Sequence, residues 1–127
     1  MPRPQPGHPG RVGARPLGQD ETQEIAGTSH ISIVDAERNV LALTTTIEAG
    51  FGSRVWAAGF LLNNEMTDFS ARPTDPAGTP IANAIAPGKR PRSSMSPTIV
   101  FDPQGKPWAT LGSVGGQRIP LYVTKAL

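Results

Sequence analysis

Residues 27–35 read GTSHISIVD and place Thr28 between a glycine and a strand of alternating apolar and polar residues. This arrangement is expected of a precursor that cleaves its own chain and so exposes a new N-terminal residue. A threonine hydroxyl is a poor nucleophile without an adjacent base, but the free α-amine of an N-terminal threonine can serve as that base. Thr28 is therefore the first candidate catalytic residue.

The strand after Thr28 is predicted to pair with the run VLALTTT at residues 40–46, because the turn-like stretch DAERN at 35–39 separates the two. Antiparallel strands joined by a short loop bring their far ends together. Thr46 is thus predicted to lie beside Thr28.

Two further elements are predicted downstream. A second hairpin is expected from TIVF at 98–101 and WATL at 108–111, on either side of DPQGK. Residues 119–127 favour a helix, with Pro120 tolerated in its first turn. Residues 70–89 carry four prolines and are predicted to lack regular structure.

The composition limits the chain to one modest core. It has 127 residues with 14 Gly, 14 Pro and 6% aromatic residues, so much of it is predicted to be loop. Residues 1–27 are interpreted as a Pro/Gly-rich flexible lead-in, and residues 28–127 as the ordered domain.

Composition also narrows the possible partners. A net charge of +2 is too small to indicate nucleic-acid binding, and the basic run at 89–92 is interpreted as solvated surface. The lack of cysteine excludes disulfides, thiolate nucleophiles and Cys-ligated zinc. No apolar run approaches the ~20 residues of a membrane-spanning helix, so no membrane segment is predicted.

Four blocks of sequence, in order, resemble the first half of the small catalytic subunit of the γ-glutamyltransferases, or glutathione hydrolases. They are residues 28–30 with their strand, GFLLNNEMTDFS at 59–70, PGKRPRSSMSPT at 87–98 and GSVGG at 112–116. The resemblance implies an α+β fold of N-terminal-nucleophile (Ntn) hydrolase type, a four-layer αββα sandwich that this chain covers only in part. It also implies self-cleavage between Gly27 and Thr28, with residues 1–27 forming the end of the large-subunit portion of the same precursor.

The same resemblance assigns catalytic roles around Thr28. Thr46 matches a threonine that hydrogen-bonds the nucleophile. Gly115 and Gly116 match a pair whose backbone N–H groups form the oxyanion hole, where only glycine lets the backbone approach so closely. No metal-ligand spacing is present, and this route needs no metal or other cofactor.

The substrate implied by the resemblance is a small molecule with a γ-glutamyl group, such as glutathione. Its α-ammonium needs acceptors, for which Glu65 and Asp68 are candidates, and its α-carboxylate needs donors, for which Ser93 and Ser94 are candidates. Glu48 stands where many members of the family carry an asparagine that helps hold the α-amino group. This difference leaves the substrate class open.

Alternatives remain at this point. The chain resembles a γ-glutamyl amide hydrolase or transferase, but a cephalosporin (glutaryl-type) acylase of the same superfamily and an inactive truncated fragment are also compatible. His8 and His30 are interpreted as structural or incidental, although alternation places His30 on the same side of its strand as Thr28. Export is common in the family, which favours the periplasm over the cytoplasm.

Overall fold

The computed structural model describes residues 17–22 and 27–127, which form strands, short helical turns and one helix. The flexible lead-in predicted for residues 1–16 and 23–26 lies outside the described residues. The elements, in chain order, are β1 (Thr28–Val34), β2 (Val40–Thr46), β3 (Trp56–Ala57), β4 (Phe60–Leu61), β5 (Thr98–Phe101), β6 (Pro107–Leu111) and α1 (Ile119–Ala126). Two 3-10 turns, Glu65–Asp68 and Gly116–Arg118, complete this α+β set.

The first hairpin confirms the predicted pairing. β1 and β2 pair antiparallel over seven residues each, and Thr28 lies opposite Thr46 at the open end of this ladder. The connecting turn is held by Asp35, whose carboxylate accepts hydrogen bonds from the backbone and side-chain nitrogens of Asn39 at 2.7 and 2.8 Å. These bonds, that of the Asn39 side chain first, lower the pKa of Asp35 below its ordinary value.

The second hairpin and the helix also confirm the prediction. β5 pairs antiparallel with β6, with an irregularity in register between Val100 and Phe101. β2 packs against both of these strands, so the two hairpins lie together. α1 begins at Ile119 with Pro120 in its first turn, where a missing N–H breaks no helical bond. Ile119 is 1% exposed and forms the centre of the small core.

The two faces of the first hairpin differ. One face carries Thr28 and His30, while the other carries four apolar side chains that are 43–49% exposed: Ile31, Ile33, Leu41 and Leu43. The described residues therefore leave this apolar face uncovered. Within the described ranges, no helix is long and apolar enough to cross a membrane.

Residues 17–22, which the sequence analysis assigns to the lead-in that ends at residue 27, make contacts with the body of the protein. Asp20 forms an ion pair with Arg92 at 3.3 Å and accepts a hydrogen bond from Asn83 Nδ2 at 2.9 Å. Burial, the largest single influence, raises the pKa of Asp20, but hydrogen bonds from Thr22 and Asn83 and the charge of Arg92 together bring that pKa below its ordinary 3.8. Asn83 and Arg92 are more than sixty residues away from Asp20 in the chain, so local composition gave no sign of this attachment.

Candidate active site

Residues from five separate stretches of the chain meet in one small cleft. Its lining comprises Thr28, Thr46, Glu48, Glu65, Asp68, Ser93, Ser94, Met95, Gly116 and Ile119. All of the site residues predicted from the sequence are therefore in this lining except Gly115, which immediately precedes Gly116. The fold brings these residues together because the β1–β2 ladder, the 3-10 turn at 65–68 and the start of α1 converge at the end of the first hairpin.

The peptide bond before Thr28 is held by Thr46. The Thr46 hydroxyl donates to the carbonyl oxygen of Gly27 at 3.2 Å and accepts from the backbone N–H of Glu48 at 2.8 Å. The N–H of Glu48 can only donate, so it occupies a lone pair of the hydroxyl and leaves the hydroxyl proton for the Gly27 carbonyl. Thr46 thus points its donor at the carbonyl that a self-cleaving Thr28 would attack.

Gly27 also has no room for a side chain. A Cβ at this position would run into the carbonyl oxygen of Glu48. Glu48 itself has φ +69, a left-handed conformation that is uncommon for a residue with a side chain. The peptide segment just before Thr28 is therefore packed directly against the backbone of a strained residue.

Three carboxylates converge in the cleft. One oxygen each from Glu48, Glu65 and Asp68 lies within 4.8 Å of the others. Glu48 and Asp68 are each only 5% exposed. Like charges at this separation disfavour one another, so the cluster suits a cationic group. An ammonium group satisfies this requirement as well as a metal ion does. The family resemblance named all three residues, and the fold brings them together from the segment after β2 and from the 3-10 turn at 65–68.

The two glycines at the other side of the cleft have conformations that favour glycine. Gly115 has φ +132 and Gly116 has φ +55. A Cβ on Gly115 would lie 2.8 Å from the ring of Tyr122 on α1. Gly116 is buried and lines the cleft.

The site has an anchor that the sequence analysis missed. The basic run at 89–92 was interpreted as solvated surface, but Arg92 is only partly exposed and pairs with Asp20. Arg92 Nη2 and Gln117 Nε2 both donate to the backbone carbonyl of Thr22, at 3.3 and 3.0 Å. The segment at 17–22 is therefore tied to the residues that precede Ser93 and follow Gly116. The sequence does give one indication that Arg92 belongs to the site, because it stands directly before the predicted donors Ser93 and Ser94.

A larger groove adjoins the cleft and shares Thr46, Glu65, Ser93 and Met95 with it. Its remaining lining includes Lys89, Arg90 and Arg92, so this part of the surface is cationic. A molecule seated in the cleft could extend into this groove.

The sequence model of the family described as gamma-glutamyltranspeptidase matches residues 5–127, which is nearly the whole chain. The chain belongs to the gamma-glutamyltranspeptidase family. Among curated relatives in this family, it is 49% identical over 98 residues to a glutathione hydrolase proenzyme of Escherichia coli and 50% identical over 101 residues to glutathione hydrolase 2 of Arabidopsis thaliana. These matches cover 72% and 73% of the chain, but the chain spans only 17% of the length of each relative.

Solved structures agree with this assignment. An acivicin-inhibited gamma-glutamyltranspeptidase matches with a TM-score of 0.62 at 48% identity, covering 75% of this chain and 53% of that one. A gamma-glutamyltranspeptidase of Pseudomonas nitroreducens matches with the same TM-score at 46% identity, covering 75% of this chain and 52% of that one. The described strands and helix are thus part of the α+β Ntn-hydrolase fold that the family resemblance implied, and the family is one of enzymes.

Proposed function

We propose that Thr28 becomes the N-terminal nucleophile of a γ-glutamyl amide hydrolase or transferase of the glutathione hydrolase type. The observation that carries this proposal is the hydrogen bond from Thr46 to the carbonyl of Gly27. This hydrogen bond polarises the carbonyl of the one peptide bond whose scission would give Thr28 a free α-amine.

The self-cleavage needs no reagent other than water. The Thr28 hydroxyl oxygen attacks the carbonyl carbon of Gly27, and negative charge develops on the oxygen that Thr46 contacts. The C–N bond then breaks, the nitrogen takes the proton that the hydroxyl gave up and becomes the α-amine, and Gly27 is left as an ester on Thr28. Water hydrolyses that ester, which restores the hydroxyl and leaves a carboxylate on Gly27.

The same hydroxyl then acts on the substrate. The α-amine of Thr28 takes the hydroxyl proton as the oxygen attacks the γ-amide carbonyl, and it later returns that proton to the leaving amine. The backbone N–H groups of Gly115 and Gly116 stabilise the oxyanion, and loss of one such donor costs about 2.7–4 kcal/mol of transition-state stabilisation. Water, or an acceptor amine, resolves the resulting γ-glutamyl ester.

The charges of the cleft support a γ-glutamyl substrate. The α-ammonium would lie among the carboxylates of Glu48, Glu65 and Asp68 and donate hydrogen bonds to them. Ser93 and Ser94, on the same cleft, would donate to the α-carboxylate. The rest of a glutathione-like molecule would extend into the cationic groove at 89–92.

A glutaryl-type acylase is not favoured. A glutaryl group offers only a carboxylate where the γ-glutamyl group also has an ammonium, and three carboxylates would repel it. The curated relatives reported above are named glutathione hydrolases, and none of those names indicates an acylase.

Partners from the same precursor are part of the proposal. The chain spans a small share of its curated relatives, and one face of its first hairpin is apolar and exposed. A large subunit and the remainder of the small subunit would complete the enzyme. The isolated 127-residue chain is accordingly expected to be inactive, and γ-glutamyl hydrolysis by this chain alone would contradict that expectation.

The test uses the full-length precursor that contains this chain, with Thr28→Ala as the control. Intact mass should show two fragments that separate between Gly27 and Thr28 in the wild type, and one uncut chain in the variant. The processed wild type should hydrolyse a γ-glutamyl anilide and leave the glutaryl anilide intact. An uncut wild type with full activity, or a Thr28→Ala variant that retains activity, would overturn the proposal.

A further inference from the structure

His30 lies at the junction between the strand of Thr28 and the segment of Gly115 and Gly116. Alternation along β1 puts its side chain on the Thr28 face, and the ladder puts it opposite Thr44. The sequence offered no chemical role for it, and the mechanism proposed above does not use it.

The imidazole of His30 is fixed at both nitrogens. Nδ1 lies 2.8 Å from the hydroxyl of the buried Thr44, and Nε2 lies 3.0 Å from the hydroxyl of Ser32. Ser32 Oγ in turn lies 3.4 Å from Thr110 Oγ1 on β6. Hydroxyl groups can donate or accept, so both nitrogens are satisfied and the plane of the ring is set.

Gly112 packs directly on that ring. A Cβ at Gly112 would lie 2.7 Å from Cγ of His30 and closer still to Nδ1 and Cε1, a distance at which something must shift. The φ of Gly112 is outside the left-handed region, so glycine is required here by space and not by backbone conformation. The ring occupies the room that any larger residue would need.

Gly112 begins the five-residue segment 112–116, which ends at the two candidate oxyanion donors. A contact at its first residue therefore affects the position of its last two relative to Thr28. Thr110, two residues earlier on β6, is linked to the first hairpin as well, through Ser32 and through its own bond to the carbonyl of Leu41 at 3.3 Å.

We propose that His30 is a positioning residue whose ring, held by Thr44 and Ser32, sets how closely segment 112–116 approaches the strand of Thr28. It touches no reacting atom. Its effect passes through Gly112 to the oxyanion donors, and this inference rests on the proposed function for its kinetic readout.

The test compares Gly112→Ala with Gly50→Ala in the full-length precursor. Gly50 is a matched control because a Cβ there meets nothing within 4 Å and its φ is also outside the left-handed region. Gly112→Ala should lower kcat at least about tenfold with KM little changed, because the contact affects transition-state stabilisation more than substrate binding. Gly50→Ala should leave both constants as in the wild type.

Removal of the ring should relieve the clash. The double variant His30→Ala/Gly112→Ala is expected to recover part of the kcat lost in Gly112→Ala. Two independent sites would instead give additive changes in activation free energy. Wild-type kcat in Gly112→Ala, or additive losses in the double variant, would overturn the inference. His30→Asn covers the case in which Gly112→Ala does not fold: it should lower kcat with KM little changed, and a wild-type kcat would overturn the inference.

The contact itself is tested without catalysis by the same double-mutant cycle in a Thr28→Ala precursor. Non-additive free energies of unfolding would support the His30–Gly112 contact, and additive ones would overturn it. A wild-type enzyme without γ-glutamyl hydrolysis would overturn the proposed function instead, and the unfolding cycle would still decide the contact.

Discussion

Replacement of Thr46 by valine tests the self-cleavage mechanism most directly. Valine keeps the shape and the β-branch of threonine but removes the hydroxyl, which donates to the Gly27 carbonyl at 3.2 Å and accepts from Glu48 N–H at 2.8 Å. Both bonds are lost together. The carbonyl of Gly27 loses a donor as negative charge develops on it, and the N–H of Glu48 loses its acceptor.

The size of each effect follows from those two bonds. Loss of a donor at a developing oxyanion costs about 2.7–4 kcal/mol, or roughly 10²–10³ in rate. The bond at 3.2 Å is long in the uncleaved state, so we expect self-cleavage to slow by about 10²-fold, at the lower end of that range. The orphaned N–H is expected to lower the free energy of unfolding by about 1–3 kcal/mol.

The assay separates rate from stability. Self-cleavage is followed by intact mass against time for wild type, Thr46→Val and Thr46→Ser, each made as full-length precursor. The serine variant keeps the donor and should cleave at close to the wild-type rate. Unfolding in urea is measured with Thr28→Ala added to each protein, so that only uncut chains are compared. A Thr46→Val precursor that cleaves as fast as the wild type would refute the reasoning.

Three further predictions concern neighbouring contacts. Gly27→Ala should slow self-cleavage in the mass assay, because its Cβ would meet the Glu48 carbonyl, whereas Gly50→Ala should not; equal rates would contradict the packing argument. Asp20→Asn removes the ion pair with Arg92, and because the folded pKa of Asp20 is below 3.8, the stability this group contributes is present above that pH and lost as pH falls through the folded pKa. Unfolding against pH should therefore show Asp20→Asn less stable than wild type at neutral pH and converging with it in acid, and a constant difference would count against the ion pair. Glu48→Gln removes one of three clustered carboxylates and should raise KM for a γ-glutamyl anilide, measured by initial rates; an unchanged KM would exclude Glu48 from ammonium binding.

The long elements could be predicted from the sequence because each carries its own periodicity. Alternation over residues 28–34 and the β-branched run at 40–46 set the pairing of Thr28 with Thr46. Pro120 marked the first turn of α1. The site residues were named from the family resemblance, and the fold brings all of them except Gly115 into the lining of one cleft.

The short and long-range features could not be predicted in this way. The hairpin of β3 and β4 has only two residues in each strand, and its turn at Ala58 and Gly59 has φ +51 and +90 without the Asn-Gly pair that usually indicates such a turn. The ion pair of Asp20 with Arg92 joins residues far apart in the chain. The packing of His30 on Gly112 depends on how two hairpins meet, which no local pattern encodes.

The three clustered carboxylates have a consequence for what happens after the chain is cut. Scission would create a new carboxylate at Gly27, next to Thr46 and close to Glu48. The three clustered carboxylates already make these surroundings negatively charged. Electrostatic repulsion would expel that end and oppose re-ligation, while the attachment at 17–22 limits how far it travels. The departing end would vacate the acidic side of the cleft, where an incoming cation could then bind.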